Sequence, residues 1–268
     1  NIIAEPKPAG TAAALAWAAH LIEQRDGPDA TMISVHADWS IADADGFRRT
    51  LLRGAESAEL LGGLVTVGIV PTRPDPGFGY IEPGEDIGGG VRRVARFVEK
   101  PTRERAAEMQ RAGYLWNSGI FVWRVGEFLS ELRAHSPEVG PALDRNPRSL
   151  KKFFAAVKKP IAVDHAVLER SSKVLVASGD FGWDDVGTWD ALHRVRRRDE
   201  SDNASSGEVF VLDAAANVVH AEGQQVVLYG VNDLVVVAQD GLTLVTTRDR
   251  AADLKKLVES LPAKVAKR

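Results

Sequence analysis

Through the first 200 residues, short continuous apolar runs alternate with longer stretches of helical spacing. Residues 1–4, 31–37, 63–70 and 173–178 read as strands, and Pro71 closes the third of them. Helical patterns cover 12–24, 44–60, 102–112, 125–135 and 149–157. Thr11 stands where the first helix needs an N-cap. Near-continuous apolar strands separated by helices predict an α/β fold with a mostly parallel sheet covered on both faces. Beyond residue 207 the rhythm changes. Short Val-rich runs begin near 208, 217, 225, 233 and 242, about 8–9 residues apart, which predicts a small solenoid or β-helix. The polar run 197–203 marks the boundary between a domain over 1–200 and one over 201–268. A helix over 249–261, with Leu254, Leu257, Val258 and Leu261 on one face, closes the pattern, and Lys264, Lys267 and Arg268 read as a solvated basic tail. Asn1 falls inside an apolar run, so the chain reads as a strand entered partway.

Composition narrows the classes. With 44% apolar residues in 268, the chain buries a substantial core and needs no staples. The balance of 34 basic and 37 acidic residues gives a net charge of −3, which disfavours a dedicated nucleic-acid or membrane-surface protein, since both need a positive field. The absence of cysteine rules out disulfides, a thiol nucleophile and a thiolate zinc site, and fits a cytoplasmic protein. No apolar run reaches membrane-spanning length and no signal peptide opens the sequence.

Candidate chemistry sits in a few segments. Open parallel sheets bind ligands at the carboxyl ends of their strands. The loop 5–11 and the pair Asp38-Trp39 both follow strands in that sense. Asp38 is a ready ligand for a hard cation such as Mg²⁺, or equally a turn or N-cap aspartate. In 181–189, two adjacent carboxylates, Asp184 and Asp185, lie between Trp183 and Trp189; either can hold a metal, and either can cap a helix beginning near 187. The loop 71–81 is stiffened by three prolines, and its Gly77 and Gly79 allow a ligand, or simply a turn, close to the backbone. Segments 97–101 and 116–119 set polar groups beside aromatic rings, a mixture that suits a sugar. The six histidines show no metal-ligand spacing, and neither a dinucleotide fingerprint, a Walker A loop nor a nucleophile elbow occurs.

Taken in order, these segments resemble the sugar-1-phosphate nucleotidyltransferases, and within them the mannose-1-phosphate guanylyltransferase branch. Eight collinear stretches carry the resemblance: 10–12, 37–38, 68–74, 77–82, 97–101, 116–121, 163–167 and 183–189. The resemblance implies a Rossmann-like nucleotidyltransferase domain followed by a β-helix-like domain. It implies transfer of a guanylyl group from GTP to mannose 1-phosphate, giving GDP-mannose and pyrophosphate, with Mg²⁺. By position it implies that Asp38 and Asp185 are the metal pair and that Glu5, Pro6, Gly10, Thr11 and Ala37 bind the nucleotide. Gly79, Glu99, Asn117 and Asp164 are implied as sugar contacts, with Lys100 as the cation beside the sugar phosphate. A sugar phosphate is largely dianionic near neutrality and needs no general base, so positioning and charge neutralisation carry such a reaction.

The same resemblance places a Gly-rich phosphate loop, with an arginine and a following lysine, upstream of residue 1; a chain truly lacking it is expected to be inactive. Trp39, His36, Gly10 and His165 depart from the residues usual in the family. They leave open the same chemistry with another nucleotide or hexose phosphate, and a non-catalytic sugar-nucleotide-binding subunit. A homodimer through the β segment is a further expectation, because solenoid edges need covering.

Overall fold

The computed structural model describes residues 2–262, so Asn1 and the basic positions Lys264, Lys267 and Arg268 lie outside the described residues. The chain divides into two compact units: residues 2–37 with 41–182, and residues 38–40 with 183–262.

In chain order the first unit is built from α1 (Thr11–Asp26), β1 (Thr31–Ser34), the second residue of a two-residue β2 (Ser40–Ile41), α2 (Ala44–Leu61), β3 (Leu64–Ile69), β4 (Tyr80–Asp86) and β5 (Val91–Val98). It continues with α3 (Arg103–Arg111), β6 (Leu115–Arg124), α4 (Val125–His135), α5 (Gly140–Arg145), α6 (Leu150–Ala156), a π-helical turn (Asp164–Leu168) and β7 (Val174–Gly179). Six strands form one sheet in the order β1-β6-β3-β7-β5-β4. Successive side chains of a strand point to opposite faces, and both faces here are covered. Leu64, Phe121, Trp123 and Val174 pack with α1, α4 and α6, where Trp123 stacks on Phe128 at 4.3 Å. Their neighbours Val65, Val122 and Leu175 pack with Ala58 of α2. Gly46, Thr50, Gly54 and Ala58 recur every fourth residue on the buried side of α2, a small-residue stripe that lets the helix lie against Val65 and Val122.

Four sequence expectations are corrected. The sheet is mixed: β3–β7 is its one parallel pair among the described residues, and β1–β6, β3–β6, β4–β5, β4–β6 and β5–β7 are antiparallel. A continuous apolar run reports burial on both faces, not strand direction. Strands β4, β5 and β6 show no clear apolar pattern in the sequence, because Glu82, Arg92, Arg93, Asn117 and Ser118 interrupt it. Residues 2–4 form no strand; Ile2 and Ile3 are exposed and pair with no ladder. Thr11 is the first residue of α1 rather than its cap, because Gly10 occupies the cap position and the Thr11 hydroxyl accepts instead from Val163 N at 2.9 Å. The helix after residue 187 is capped by Thr188, whose hydroxyl accepts from Ala191 N, and not by an aspartate.

The second unit holds β8 (Trp183–Asp184), α7 (Trp189–Val195), β9 (Ala204–Ser206), β10 (Val209–Leu212), β11 (Val218–Ala221), β12 (Val226–Tyr229), β13 (Leu234–Gln239), β14 (Leu242–Thr247), a 3₁₀ turn (Arg250–Asp253) and α8 (Leu254–Ser260). Strands β9, β11 and β13 pair in parallel on one face and β10 with β12 on another, so each solenoid coil uses two of the short apolar runs. Antiparallel β14 ends the ladder. Buried Asn203 and Asn217 tie the coils together: Asn217 donates to Asn203 Oδ1 and Val231 O and accepts from Leu234 N. Residues 183–200, which the polar run would leave with the first domain, cluster with this unit. Leu257 and Val258 of α8 stay exposed. No described helix is long and apolar enough to cross a membrane.

Candidate active site

Four sugar-contact candidates meet in the first unit. The register of β3 against β6 shifts between Thr66, opposite Phe121, and Gly68, opposite Asn117. Such a bulge re-aims the side chain beside it. Ser118 fixes this one, its hydroxyl donating to Val67 O at 2.6 Å and accepting from Ile120 N. Asn117 N then donates to Gly79 O at 2.8 Å, and Asn117 Nδ2 donates to Asp164 Oδ1 at 2.7 Å. A Cβ added at Gly79 would lie 2.8 Å from Glu99 Oε2 and 3.5 Å from Asn117 Cβ, so the glycine leaves room for that carboxylate. Asp164 opens the π-helical turn, held in place by the Val163–Thr11 hydrogen bond.

Two carboxylates and an amide drawn together in this way form a natural receptor for sugar hydroxyls. Burial pushes the Asp164 carboxyl above the ordinary aspartate range and the Glu99 charge adds to it, while the Asn117 hydrogen bond opposes. Next door, the Glu169 hydrogen bond at 2.8 Å raises His165. Lys100 joins the cluster through Glu99, with Nζ 3.1 Å from Oε1. Its φ of 42° is a left-handed conformation for a residue preceding proline, and backbone strain of this kind gathers at ligand sites. Arg73 lies 4.9 Å over Trp116 and 5.6 Å over Phe78 and pairs with Asp75, which packs the loop of Gly77 and Gly79 beside the same strand.

The nucleotide-loop candidates divide. Gly10, at φ 84°, abuts the chain at Ile161, whose carbonyl accepts from Ala12 N; a Cβ at Gly10 would lie 2.2 Å from that oxygen. Gly10 and Thr11 thus support the segment that leads into Asp164. Glu5, Pro6 and Ala37 are exposed.

Both metal candidates fall in the second unit. Asp38 is exposed and Asp185 half-buried, in a turn where Val186 takes a φ of 51°. A Cβ at Gly187 would lie 2.8 Å from Asp185 Oδ2, so this carboxylate occupies a cradle that any larger residue would fill. Its neighbour Asp184 is buried in a bidentate pair with Arg194, at 2.8 and 3.1 Å, and Trp183 packs edge-on against Trp39 at 5.9 Å. No group of three or more metal-ligating side chains occurs among the described residues. Asp38 and Asp185 are nonetheless hard carboxylates of the kind Mg²⁺ takes, one or two to a site, completing its shell with water and substrate phosphate. Sequence reading missed Arg194, Asp190 and Arg248, which brace this turn; their partners are far apart in the chain and leave no local spacing.

Comparison with known proteins identifies the family. The family model for nucleotidyl transferases matches residues 1–202, and that for the MannoseP isomerase/GMP-like beta-helix domain matches 207–261. A mannose-1-phosphate guanylyltransferase of Escherichia coli (strain K12) is 37% identical over 281 residues, covering 98% of this chain and 58% of that protein. The alginate biosynthesis protein AlgA of Pseudomonas putida is 34% identical over 273 residues, covering 97% of this chain and 56% of that protein. The chain therefore spans little more than half the length of these curated relatives. A crystal structure of a mannose-1-phosphate geranyltransferase from Thermus thermophilus superposes with a TM-score of 0.86 at 33% identity, covering 96% of this chain and 76% of that one. The chain belongs to the nucleotidyl transferase family.

Proposed function

We propose that the protein transfers the guanylyl group of GTP to mannose 1-phosphate, releasing pyrophosphate and forming GDP-mannose. The observation that carries the reading is the cluster of Gly79, Glu99, Asn117 and Asp164 with Lys100 attached, two carboxylates and an amide beside a cation. The names of the relatives support the choice of base and sugar.

In this mechanism a phosphate oxygen of mannose 1-phosphate attacks the α-phosphorus of GTP, and the bond to the β-phosphate breaks. The dianionic attacker needs no base. Glu99, Asn117 and Asp164 hold the hexose hydroxyls, and a sugar without the matching hydroxyls leaves these groups unpaired. Lys100 reduces repulsion between the two anions. Gly10 and Thr11 belong to the base-binding loop. Asp38 and Asp185 would hold Mg²⁺, which would supply positive charge to the phosphates. A homodimer belongs to the same proposal: Phe210, Leu212, Val227 and Tyr229 of β10 and β12 are exposed on paired strands.

Pyrophosphate release tests the reading, measured for each nucleoside triphosphate against each hexose 1-phosphate in the presence of Mg²⁺. Release is expected to be fastest with GTP and mannose 1-phosphate. A different best pair overturns the assignment of base or sugar, and GDP-mannose binding without turnover overturns catalysis.

A further inference from the structure

We propose that Arg248, at the end of β14, is a positioning residue for the Asp185 carboxylate, acting through Asp190, Arg194 and Asp184. The inference rests on the assignment of Asp185 to the metal. All five residues lie in the second unit.

The relay begins in the solenoid. Arg248 is anchored by its backbone N–H, which donates to Asp233 O at 2.9 Å, and by its guanidinium, which donates to Ala216 O. The same guanidinium grips Asp190 Oδ1 twice, from Nε at 3.0 Å and Nη2 at 2.6 Å. The other oxygen of Asp190 accepts from Arg194 Nη1 at 2.9 Å. Arg194 spends its remaining nitrogens, Nε and Nη2, on Asp184. Every guanidinium nitrogen of Arg194 is therefore committed, and the planar fork fixes the angle of Asp184 relative to α7.

Asp184 passes this order to its neighbour. Its Oδ1 also accepts from Val186 N at 3.1 Å, closing a turn around Asp185. Val186 is β-branched and sits at φ 51°, a conformation that persists only where surrounding contacts enforce it. The carboxylate of Asp184 supplies such a contact, and its own orientation comes from Arg194. Loss of Arg248 leaves Asp190 held by Arg194 but takes away the solenoid anchor of that pair, which loosens the turn that presents Asp185. Asp184 is 6% exposed, so deleting Arg194 would strand a buried charge. The Asp190–Arg248 contact is half-exposed, and such pairs contribute little to stability. Arg248 is therefore the place where positioning separates from folding.

The test is Mn²⁺ binding to the whole protein, read from the free-ion electron paramagnetic resonance signal, beside the Michaelis constants for Mg²⁺ and for the sugar phosphate. Arg248→Met is expected to weaken Mn²⁺ binding by about tenfold or more, the usual scale for removing a residue that orients a metal ligand. It should raise KM for Mg²⁺ and leave KM for the sugar phosphate unchanged, and Arg248→Lys should recover part of the loss. Unchanged Mn²⁺ affinity in Arg248→Met, with a large loss in Asp185→Asn, overturns the relay and leaves the metal assignment standing. Unchanged affinity in Asp185→Asn overturns the metal assignment itself. Should Arg248→Met not fold, Asp190→Asn takes its place, with the same outcomes.

Discussion

Asp164 is where burial and chemistry pull against each other. Its carboxyl is pushed above the ordinary aspartate value by desolvation, with the Glu99 charge adding to the push, so folding favours its protonated form. A raised folded-state value means that the stabilising contribution is complete below the unfolded value and is lost as pH rises through the folded one. Asp164→Asn removes the ionisation and keeps an acceptor for Asn117. The variant should therefore melt higher than the parent at pH 7, with the difference vanishing as pH falls below about 4. A difference that grows on acidification would contradict this account. Gly79 gives the complementary test from the ligand side. Its backbone is open to alanine, but the new Cβ would displace the Glu99 carboxylate. Losing one charged hydrogen bond to the sugar, about 1.5–3 kcal/mol, corresponds to a KM for the sugar phosphate raised about 10–150-fold, with KM for the nucleotide unchanged. An equal rise in both constants would remove Glu99 from sugar recognition. Each of these residues stands in a segment the sequence alone marks out. Their meeting does not show there, because it depends on a bulge in β6 and on Asn117 pairing with Gly79, 38 positions earlier (117 − 79).

Helices and the most apolar strands are legible from periodicity because each buries a face of its own. Helices 44–61 and 125–135 match their patterns almost residue for residue. Strands β4, β5 and β6 are not legible, since polar residues such as Glu82, Arg92, Arg93 and Asn117, together with buried Ser118 at the bulge, spoil the alternation. The entry to α1 shows a second reason. Thr11 has the right identity for a cap, yet its hydroxyl is drawn to Val163 by a contact 152 residues away. That packing makes Gly10 the sensitive position at this junction: at φ 84° it lies against the Ile161 carbonyl, where a side chain has neither a comfortable backbone nor room. Gly10→Ala is expected to lose at least about 2 kcal/mol in urea unfolding. A loss under about 0.5 kcal/mol, the range of a neutral surface change, would contradict that close packing.

At the scale of the molecule, the chain combines a two-faced α/β unit that gathers the sugar-contact candidates with a solenoid-bearing unit that holds both metal candidates. The change of rhythm near residue 207 makes the solenoid legible, because each coil repeats the same short apolar run. The membership of residues 183–200 is not legible, because it rests on long-range contacts: Trp189 and Leu192 pack on Val218 and Val235, and Asp190 pairs with Arg248, 58 positions apart. A net charge of −3 gives no long-range attraction for anions, so the proposed reaction relies on local groups such as Lys100 to offset phosphate repulsion. The most direct test of guanylyl transfer to mannose 1-phosphate is pyrophosphate release from GTP with Mg²⁺, compared with every other pairing of nucleotide and hexose phosphate. The account predicts the fastest release from GTP with mannose 1-phosphate, reduced at least about 10²-fold by Asp185→Asn. Faster release from another pair, or an Asp185→Asn variant of near-normal rate, would contradict it.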